Sequence, residues 1–423
     1  MKVLWLKTEL LHPVDKGGKI RTYHMLKELK KEHEITYLTL DDGAAEPDAR
    51  KKADEYCNEL ITVPHRTARK FSGRFYAELA SNAVSRLPYA LEKYVSSGMR
   101  QAIEAVAAQK EHDVLVCDFL APAVNLPESL SIPTVLFQHN VEAMIWRRHF
   151  EVAENPLKRR FLKTQWQRMF EYERRACHRF DHVIAVSRED CETMRGDYGA
   201  DRIADVPTGV DTDYFRTDPS VPRDGCQVVF TGSMDWMPNE DGINWFAETI
   251  WPLVRERVGN ASLVVVGRNP SSALTQLSIV DPSITVTGRV DDVRPYLSGA
   301  DVFVVPIRVG GGTRLKIFEA MAMGLPVVST TIGAEGLPLT DNEEILVRDD
   351  PADFADVVVE LLSDSSLAGQ LGSTGEQHVR EDFGWARVAA LFADQCRAVV
   401  LDHTNRANGD TVPMAAISRA AGR

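Results

Sequence analysis

The chain has 423 residues, which at roughly 150 residues per domain predicts two or three domains rather than one. Its composition, 44% hydrophobic and 26% charged, is ordinary for a globular protein and excludes a wholly disordered or fibrous chain. The formal net charge of -12 gives no overall basic field that would attract nucleic acid, so we expect no nucleic-acid partner.

The cysteines and the apolar runs bear on where the protein resides. Six cysteines are scattered, with neither a C-x-x-C pair nor a Cys/His cluster of zinc spacing, a pattern typical of reduced thiols in the cytosol. No stretch approaches the roughly 18 apolar residues of a membrane span. The apolar run after Lys2 is too short for a signal peptide. We therefore expect a cytoplasmic protein.

Short apolar runs alternate with helical patterns along most of the chain. Continuous apolar strands separated by helices are typical of parallel sheets covered on both faces. The predicted strands form two series separated by the polar stretch Thr217–Asp224, namely Val3–Leu6, Ile35–Leu40, Val114–Cys117, Thr134–Phe137 and Val183–Val186, then Val228–Phe230, Leu263–Val266, Ile284–Val286, Val302–Val305 and Pro326–Ser329. We predict two doubly wound α/β domains, residues 1–216 and 217–385, then a helix over 386–402 that packs back on the first domain and a flexible tail over 403–423.

Ligands of doubly wound sheets bind beyond the carboxyl ends of the strands, so the loops lining a cleft between two facing domains are the candidate sites. In the first domain, Gly17 and Gly18 open a predicted helix, where the backbone can approach a ligand. His139, Asn140 and Glu142 follow the fourth predicted strand. A plain strand–helix turn and a structural histidine are the competing interpretations.

The loop after the strand Val302–Val305 is the most informative segment. Three glycines, Gly310, Gly311 and Gly312, lead through Thr313, Arg314 and Leu315 into a helix. Glycines let backbone N–H groups approach an anion, and a helix N-terminus adds a favourable dipole. Arg314 and Lys316 bring two full positive charges to the same turn, so this segment predicts a diphosphate site. Ordinary turn chemistry is the alternative interpretation of the glycines.

Glu319 lies in a helix that is apolar on nearly every side and is therefore expected to be buried. A buried carboxylate is costly unless it accepts hydrogen bonds. Sugar hydroxyls would supply such donors, and a local pair with Lys316 or Arg314 would serve equally well. The residue types alone leave both open.

Two other phosphate-binding patterns fit less well. In a dinucleotide-binding loop a third Gly or Ala would be needed where Leu315 stands. Gly17-Gly18-Lys19 continues with Ile20 and lacks the earlier glycine of a Walker A loop. Hydride transfer and P-loop hydrolysis are both disfavoured.

The stretch 147–179 is locally basic in an acidic chain, with ten Lys or Arg against four Glu. Apolar residues recur in it at helical spacing from Leu157 to Ala176. A basic amphipathic helix can lie on anionic lipid and meet a lipid-linked acceptor. A surface helix with its apolar side in the core and a solvated basic face is the alternative.

Several motifs, taken in order over roughly residues 1–400, resemble those of the retaining, nucleotide-sugar-dependent glycosyltransferases of family 4. They are Val206-Pro-Thr-Gly-Val-Asp211 with Phe215, Phe230-Thr-Gly-Ser-Met, Val266-Gly-Arg268, Thr287-Gly-Arg-Val290, Tyr296-Leu-Ser-Gly-Ala-Asp301, and Glu319-Ala-Met-Ala-x-Gly-x-Pro-Val-Val. The Gly-Gly-Gly-Thr-Arg-Leu-Lys sequence at 310–316 resembles one branch of that family.

The resemblance implies the GT-B fold, two facing Rossmann-like domains with a cleft between them, and assigns roles to residues. It implies that Glu319 binds the ribose of the sugar donor and that His139 meets the donor sugar or the acceptor. The other sugar-donor residues are expected to be Gly310, Gly311, Gly312, Thr313, Leu315, Gly232, Ser233, Arg268 and Val290. The expected acceptor-binding residues are Gly17, Gly18, Asn140 and Glu142, and the expected catalytic residues are His139, Arg314 and Lys316.

The sequence departs from the family pattern at three places. Gly311 stands where the family usually has a first glutamate, eight positions before Glu319. Ser233 and Asp241-Gly242 stand where the family often places an Arg and a Lys-Gly for the diphosphate. We therefore infer that Arg314 and Lys316 supply the positive charge that a departing diphosphate needs.

The resemblance leads us to expect a glycosyltransferase that moves a sugar from a nucleotide diphosphate sugar to a glycan or lipid-linked hydroxyl, with retention and without a metal or other cofactor. Its place would be bacterial surface polysaccharide or glycolipid synthesis, in the cytoplasm and peripherally at the inner face of the plasma membrane. A nucleotide-sugar 2-epimerase and a non-catalytic nucleotide-sugar-binding protein remain as alternatives, because a fold alone does not separate them.

Overall fold

The computed structural model describes residues 1–43, 45–223, 225–310 and 314–407, and the chain divides into two compact units. Met1–Pro207 and the chain from Val388 form the first unit, and Thr208–Arg387 forms the second. The chain thus passes into the second unit nine residues before the predicted boundary at 216/217. The reason is that Val210 N donates to Phe383 O at 2.8 Å and Arg380 Nη1 donates to Thr212 O at 2.9 Å, which fastens this segment to the second unit.

The first unit is built on a seven-stranded sheet in the order β3-β2-β1-β4-β5-β6-β7, with every neighbouring pair parallel. Its strands are β1 (Lys2–Lys7), β2 (Glu34–Asp41), β3 (Glu59–Pro64), β4 (Val114–Asp118), β5 (Thr134–Phe137), β6 (His182–Ala185) and β7 (Ile203–Asp205). The order reverses between β1 and β4. The carboxyl ends of these two strands, at Lys7 and Asp118, therefore flank the switch point where doubly wound sheets bind ligands.

Eight helices of the described chain belong to the first unit before the crossing at Pro207. They are α1 (Gly17–Leu29), α2 (Gly73–Ser81), α3 (Tyr89–Glu92), α4 (Ser97–Ala108), α5 (Leu120–Ala123), α6 (Glu142–Glu151), α7 (Pro156–Arg179) and α8 (Arg188–Tyr198). The basic stretch 147–179 is thus split between two helices. Asn155 caps α7 by accepting from Leu157 N and Lys158 N, and Pro156 occupies its first turn.

The second unit contains a six-stranded parallel sheet in the order β10-β9-β8-β11-β12-β13. Its strands are β8 (Gln227–Thr231), β9 (Ser262–Val266), β10 (Ile284–Gly288), β11 (Val302–Val305), β12 (Val327–Ser329) and β13 (Leu346–Val347). Its helices are α9 (Met237–Trp245), joined by the π-helical turn Phe246–Ile250 to α10 (Trp251–Arg257), then α11 (Ser272–Val280), α12 (Arg294–Ser298), α13 (Leu315–Ala322), α14 (Pro351–Ser363) and α15 (Ser365–Asp382). The switch point lies between β8 and β11.

The prediction of doubly wound parallel sheets is confirmed. Each of the ten predicted strands matches an observed one, and fully buried valines, leucines and phenylalanines fill both cores. Burial on both faces explains why these strands read as continuous apolar runs. The strands β3, β7 and β13, which lie at sheet edges, were not predicted.

The last helix, α16 (Trp385–Ala407), begins in the second unit and from Val388 onward packs in the first. Phe392 lies 5.5 Å from the Trp5 ring and 5.0 Å from the Phe137 ring, between centroids. Residues 403–407, predicted to belong to a flexible tail, are helical, so that part of the prediction is wrong; the remaining tail residues, 408–423, lie outside the described chain. None of the helices in the described part of the chain combines the length and apolar character that a membrane span needs.

Candidate functional site

In the second unit, the side chain of Lys316 reaches the carboxyl end of β8. Its Nζ donates to Asn239 Oδ1 at 2.8 Å and lies 4.3 Å from the centre of the Phe230 ring. Asn239 donates from Nδ2 to Ser233 O at 2.8 Å, which turns its Oδ1 toward the ammonium. Lys316 is therefore held over the loop that follows β8.

Two glycines make this arrangement possible. A Cβ on Gly232 would stand 2.7 Å from both Lys316 Nζ and Asn239 Nδ2. A Cβ on Gly267 would stand 1.7 Å from Gly232 O, a distance at which no side chain fits. Since Gly232 N also donates to Val266 O at 2.9 Å, the ends of β8 and β9 are packed backbone against backbone. The bare backbone leaves room for Lys316.

Arg268 and Ser233, two of the predicted sugar-donor residues, contact each other after β9 and β8. Arg268 Nε donates to Ser233 Oγ at 3.0 Å and pairs with Asp235 Oδ2 at 3.0 Å. Both charged side chains are exposed. Ser233 stands where the family often has an arginine, and the structure places the Arg268 guanidinium next to that position from a neighbouring strand.

A second ion pair lies at the other departure from the family pattern. Arg308, in the loop after β11, pairs with Asp241 at 2.8 Å and lies 5.0 Å from the centre of the Trp245 ring. Close packing of Gly242 against Pro306 O holds α9 near this loop, because a Cβ there would stand 2.5 Å from that oxygen. The position of the family lysine thus carries a carboxylate here, with an arginine beside it.

The loop before α13 begins at Gly310, which needs glycine for two reasons. Its φ is +108°, and a Cβ would stand 2.9 Å from Pro238 Cγ. Gly311, Gly312 and Thr313, predicted to bind the sugar donor, lie outside the described residues. After them, Arg314 is buried with its guanidinium 4.9 Å from the centre of the Trp236 ring.

Glu319 lies three residues after Lys316 on α13, yet the two do not form the local pair that the sequence left open. Both residues are described, and no hydrogen bond or ion pair joins them; Lys316 turns to Asn239 instead. Burial raises the pKa of Glu319 to about 7, against the opposing influence of Lys316. Burial lowers the pKa of Lys316 to about 7, and Arg314 adds to that effect while Glu319 opposes it. Both charged forms are thus poorly solvated, and a bound partner would stabilise each of them.

Two further predicted sugar-donor residues frame this region. Leu315 is the first residue of α13 and is half-buried. Val290 follows β10 and is also half-buried, with its side chain packed against the apolar core of the unit. Their roles in binding the sugar donor stay predictions.

In the first unit, the structure brings His139 and Gly18 together. His139 follows β5 by two residues, and its side chain is 7% exposed. A Cβ on Gly18 would stand 3.7 Å from His139 Nδ1, so the imidazole faces the start of α1. Gly17, the first residue of α1, has open space around its Cβ position. The rings of Phe119 and Phe137 flank the imidazole at 5.2 and 4.7 Å between centroids.

Asn140 and Glu142 follow His139 in the same loop and at the start of α6. Burial raises the pKa of Glu142 to about 7, and the nearby Asn140 side chain acts in the opposite direction. The backbone of this loop is fixed by Glu173 on α7, which is fully buried. Glu173 accepts from Glu142 N at 3.0 Å and Ala143 N at 2.9 Å, so it caps the N-terminus of α6.

The sequence analysis missed several residues of both sites. Asn239, Trp236, Asp118 and Lys7 were not singled out. Lys7 and Asp118 are charged residues at the ends of the apolar strands β1 and β4, and that pattern in the sequence could have pointed to them. Asn239 and Trp236 show no such pattern, because only the folded chain brings them to Lys316 and Arg314. Within the described ranges, no group of three or more His, Cys, Asp or Glu side chains is placed to hold a metal ion. Metal independence stays a prediction.

Two family models match the chain in succession. The model described as Glycosyltransferase Family 4 covers residues 16–214, and the model described as Glycosyl transferases group 1 covers residues 225–364. This chain belongs to glycosyltransferase family 4. The resemblance drawn from the motifs is confirmed; the assignment to a Gly-Gly-Gly-Thr-Arg-Leu-Lys branch stays a prediction.

One relative of this family 4 member is dependent on a nucleotide sugar, GDP-mannose, according to its name. A GDP-mannose-dependent alpha-(1-6)-phosphatidylinositol monomannoside mannosyltransferase from Mycobacterium tuberculosis is 32% identical over 215 residues, which are 45% of this chain and 55% of that protein. The chain therefore spans about half the length of this curated relative.

Solved structures show the fold. Sucrose-phosphate synthase from Thermosynechococcus elongatus superposes with a TM-score of 0.69 at 18% identity, covering 95% of this chain and 99% of that one. Anabaena HepE in complex with UDP and glucose superposes with a TM-score of 0.61 at 12% identity, covering 94% and 100%. The family 4 chain has the GT-B fold that its motifs implied.

Proposed function

We propose that this family 4 chain is a retaining glycosyltransferase that moves a sugar from a nucleotide diphosphate sugar to an acceptor hydroxyl. The observation that carries the proposal is the placement of Lys316, whose Nζ is held by Asn239 at 2.8 Å over the bare backbone of Gly232. A lysine whose partner is an amide rather than a carboxylate has no anion beside it that neutralises it, so it can pair with an incoming anion. The N-terminus of α13, where Lys316 lies, is also a favourable place for a diphosphate.

Binding of a sugar donor would relieve the electrostatic cost of burying Lys316 and Glu319 on α13. A diphosphate next to Lys316 raises the pKa of the lysine and restores its charge, with Arg314 as the second cation. Hydroxyls of a ribose give the Glu319 carboxylate the hydrogen bonds that the empty site does not supply. Lys316 and Glu319, whose charged forms are costly without a ligand, therefore favour binding of the sugar donor.

Catalysis then follows from the charge that develops on the leaving diphosphate. When the bond between the sugar and the diphosphate breaks, negative charge grows on the leaving oxygen, and Lys316 and Arg314 stabilise it without moving. In the family 4 pattern the diphosphate oxygen receives the acceptor proton on the face from which it leaves, which gives retention. His139, Gly17, Gly18, Asn140 and Glu142 would orient the acceptor or the transferred sugar.

A thermal-shift panel of UDP-, GDP- and ADP-sugars tests donor binding, because a ligand that binds only the folded state raises the melting temperature. We expect one class to raise it in the wild type, and Glu319→Gln and Lys316→Ala to abolish most of the rise. Glu360→Gln, an exposed glutamate on α14, is the matched control. Absence of any rise with all three classes would contradict the proposal.

Product analysis then separates the enzymatic alternatives. A glycosyltransferase hydrolyses its sugar donor slowly without acceptor and yields a glycoside of retained configuration with one. Interconversion of a single nucleotide sugar without acceptor would indicate the epimerase instead. Binding with neither reaction would indicate a protein that only senses or carries the nucleotide sugar.

We further propose a glycolipid or lipid-linked acceptor, because the basic stretch of the first unit exposes apolar side chains where it bends. Val152 and Leu157, at the junction of α6 and α7, are 75% and 81% exposed, and Phe161 lies one turn further on. Lys158, Arg160 and Lys163 are exposed in the same stretch of the chain, and no ion pair joins them to an acidic side chain of the described residues. Basic residues around exposed apolar ones suit an anionic lipid surface, at about 1 kcal/mol per basic residue.

Co-sedimentation with vesicles of anionic lipid tests this contact. We expect the wild type to sediment at low salt and to be released at high salt, and Lys158→Glu/Arg160→Glu/Lys163→Glu to stay in solution. A control with equal charge change, Lys51→Glu/Lys110→Glu/Arg188→Glu, alters exposed residues elsewhere in the unit and should still sediment. No sedimentation of the wild type at low salt would reject the membrane contact.

A further inference from the structure

Asp118 is a fully buried carboxylate at the switch point of the first sheet, where it accepts three side-chain hydrogen bonds and pairs with His139. Its Oδ1 lies 2.8 Å from Lys7 Nζ and 2.8 Å from His139 Nε2. Its Oδ2 accepts from Trp5 Nε1 at 2.9 Å and from Thr22 Oγ1 at 2.6 Å. Each carboxylate oxygen thus has two polar neighbours, drawn from β1, α1 and the loop after β5.

The sheet order creates this cluster. Leu6 is paired with Cys117 and Asp118 with Phe137, so the residues that follow β1 and β5 flank the end of β4. Thr22 also lies 2.9 Å from Gly18 O and accepts from Lys7 Nζ at 2.8 Å. The Thr22 hydroxyl has one proton to donate, and it donates it to Asp118, which is the nearer acceptor and is charged. Lys7, Thr22 and Asp118 therefore form a hydrogen-bonded network that fixes the position of the carboxylate next to His139.

The charges of the cluster fix the protonation of His139. Burial by itself would raise the pKa of Asp118, but Lys7 and His139 outweigh it and the net pKa is lowered, so the carboxylate is ionised at neutral pH. Burial lowers the pKa of His139 to about 4; Asp118 opposes this, while Lys7 and Arg21 add to it. His139 is therefore neutral at neutral pH and carries one ring proton.

A neutral imidazole beside an ionised carboxylate places its proton on the nitrogen that faces the carboxylate. For His139 that nitrogen is Nε2, which leaves Nδ1 with a lone pair. Nδ1 faces the start of α1, where Gly18 has no side chain to cover it. The ring cannot tilt freely, because Phe119 and Phe137 flank it.

We propose that Asp118 is a positioning residue that fixes the ring orientation and tautomer of His139, so that Nδ1 accepts a hydrogen bond from a substrate hydroxyl. This inference rests on the proposed transferase function and deepens it. Asp118 touches no substrate and acts through His139. The histidine is then an acceptor that orients a hydroxyl, and it does not supply a proton. Lys7 holds the carboxylate in its charged form, as a third group orients the base in other catalytic sites.

The test is Asp118→Asn, read first by ¹⁵N NMR of histidine-labelled protein, with His139→Ala identifying the His139 signals. In the wild type we expect Nε2 to be protonated and Nδ1 unprotonated at pH 7. In Asp118→Asn the amide can donate to Nε2, and we expect the tautomer to change. Where the uncompensated Lys7 charge prevents folding, Lys7→Met/Asp118→Asn removes the charge together with its partner and replaces the single variant.

Activity gives the second readout. We expect Asp118→Asn to lower kcat about 100-fold with KM within about threefold, and to add nothing further in a His139→Ala background. Glu173→Gln is the matched control, a buried and fully hydrogen-bonded carboxylate that fixes the same loop without touching the imidazole. It should lower the melting temperature and leave the His139 tautomer unchanged.

The third readout is the pH profile of kcat. The charged groups that face His139 and influence its pKa are Lys7 from β1, Arg21 from α1 and Asp118 from β4. Charging of His139 should lower the activity of the wild type at acid pH, where the imidazole is protonated and Nδ1 loses its lone pair. An unchanged tautomer in Asp118→Asn, or additive losses in the double variant, would overturn the inference. If the wild type transfers no sugar, the proposed function fails, and the NMR result still decides whether Asp118 sets the tautomer.

Discussion

Lys316 and Asn239, 77 positions apart in the chain, meet at 2.8 Å through a single hydrogen bond from Nζ to Oδ1. The bond turns the lysine away from Glu319, its neighbour on the same helix, and toward the bare backbone at Gly232. Two ionisable groups that could neutralise each other are thereby kept apart. Lys316 and Glu319 can therefore each bind a different part of one ligand, and leaving them unpaired lowers the stability of the folded protein without that ligand.

Gly232→Ala tests the space that Lys316 occupies. The added methyl would stand 2.7 Å from Lys316 Nζ and Asn239 Nδ2, so both side chains must move. We expect kcat/KM to fall at least tenfold, about 1.4 kcal/mol in barrier. Gly259→Ala, in a loop of the same unit with nothing within 4 Å of the new methyl, is the control in steady-state kinetics. Equal activity of the two variants would contradict the role of Gly232.

Arg314→Ala and Lys316→Ala test the stabilisation of the leaving diphosphate. Because the two cations act on charge that grows in the transition state, we expect each variant to lower kcat at least tenfold, about 1.4 kcal/mol or more of barrier. Arg257→Ala removes an exposed cation paired with Asp356 in the same unit and should change kcat less than twofold. Unchanged turnover in both test variants would remove the assignment.

Glu319 should make the stability of the empty protein depend on pH. Its pKa rises from an ordinary 4.5 to about 7 on folding, so folding takes up a proton between these values and the free energy of unfolding falls as pH rises through that window. Lys316, whose pKa is lowered to about 7, acts only above that pH, where its effect has the opposite sign. Burial also raises the pKa of Glu142 and of Glu173, so these residues contribute to the pH dependence in the same direction as Glu319. The contribution of Glu319 is therefore measured by comparing a variant with the wild type.

Glu319→Gln should therefore gain stability relative to the wild type as pH rises from 5 to 7, by about 2 kcal/mol at the upper end. Denaturant unfolding at several pH values measures this difference. Glu360→Gln provides the control for loss of one negative charge at an exposed site. A difference between Glu319→Gln and the wild type that does not change with pH would show that the carboxylate is well solvated.

Gly18→Ala tests access to His139. Its methyl would stand 3.7 Å from Nδ1, an ordinary contact distance, so we expect no loss of stability and a gain of a few tenths of a kcal/mol from helix propensity. The methyl nevertheless covers Nδ1, and we expect kcat/KM to fall about tenfold or more. Gly73→Ala places a methyl in open space at the start of α2, which makes it the control in both thermal and kinetic measurements. Full activity of Gly18→Ala would show that nothing approaches Nδ1 from this side.

The strands that are buried on both faces could be predicted because every residue of such a strand meets the core, so that its sequence is a short continuous apolar run, as in β4 and β11. The edge strands β3 and β7 were not predicted because their sequences carry polar residues such as Glu59 and Asp205, and β13 was not predicted because it has only two residues. Helix α16 was predicted to end too early for a similar reason, since its last turns are polar.

At the candidate sites, the sequence determined what lies close along the chain, because helix and turn geometry act over a few residues. Arg314 and Lys316 lie at the start of α13, Glu319 lies one turn after Lys316, and Gly18 lies in the first turn of α1. Only the tertiary structure decided which partners these groups take. Lys316 pairs with Asn239 rather than Glu319, and Asp118 meets His139 because β1, β4 and β5 lie side by side. Strand order is set by the packing of the whole sheet, and no local pattern of residues records it.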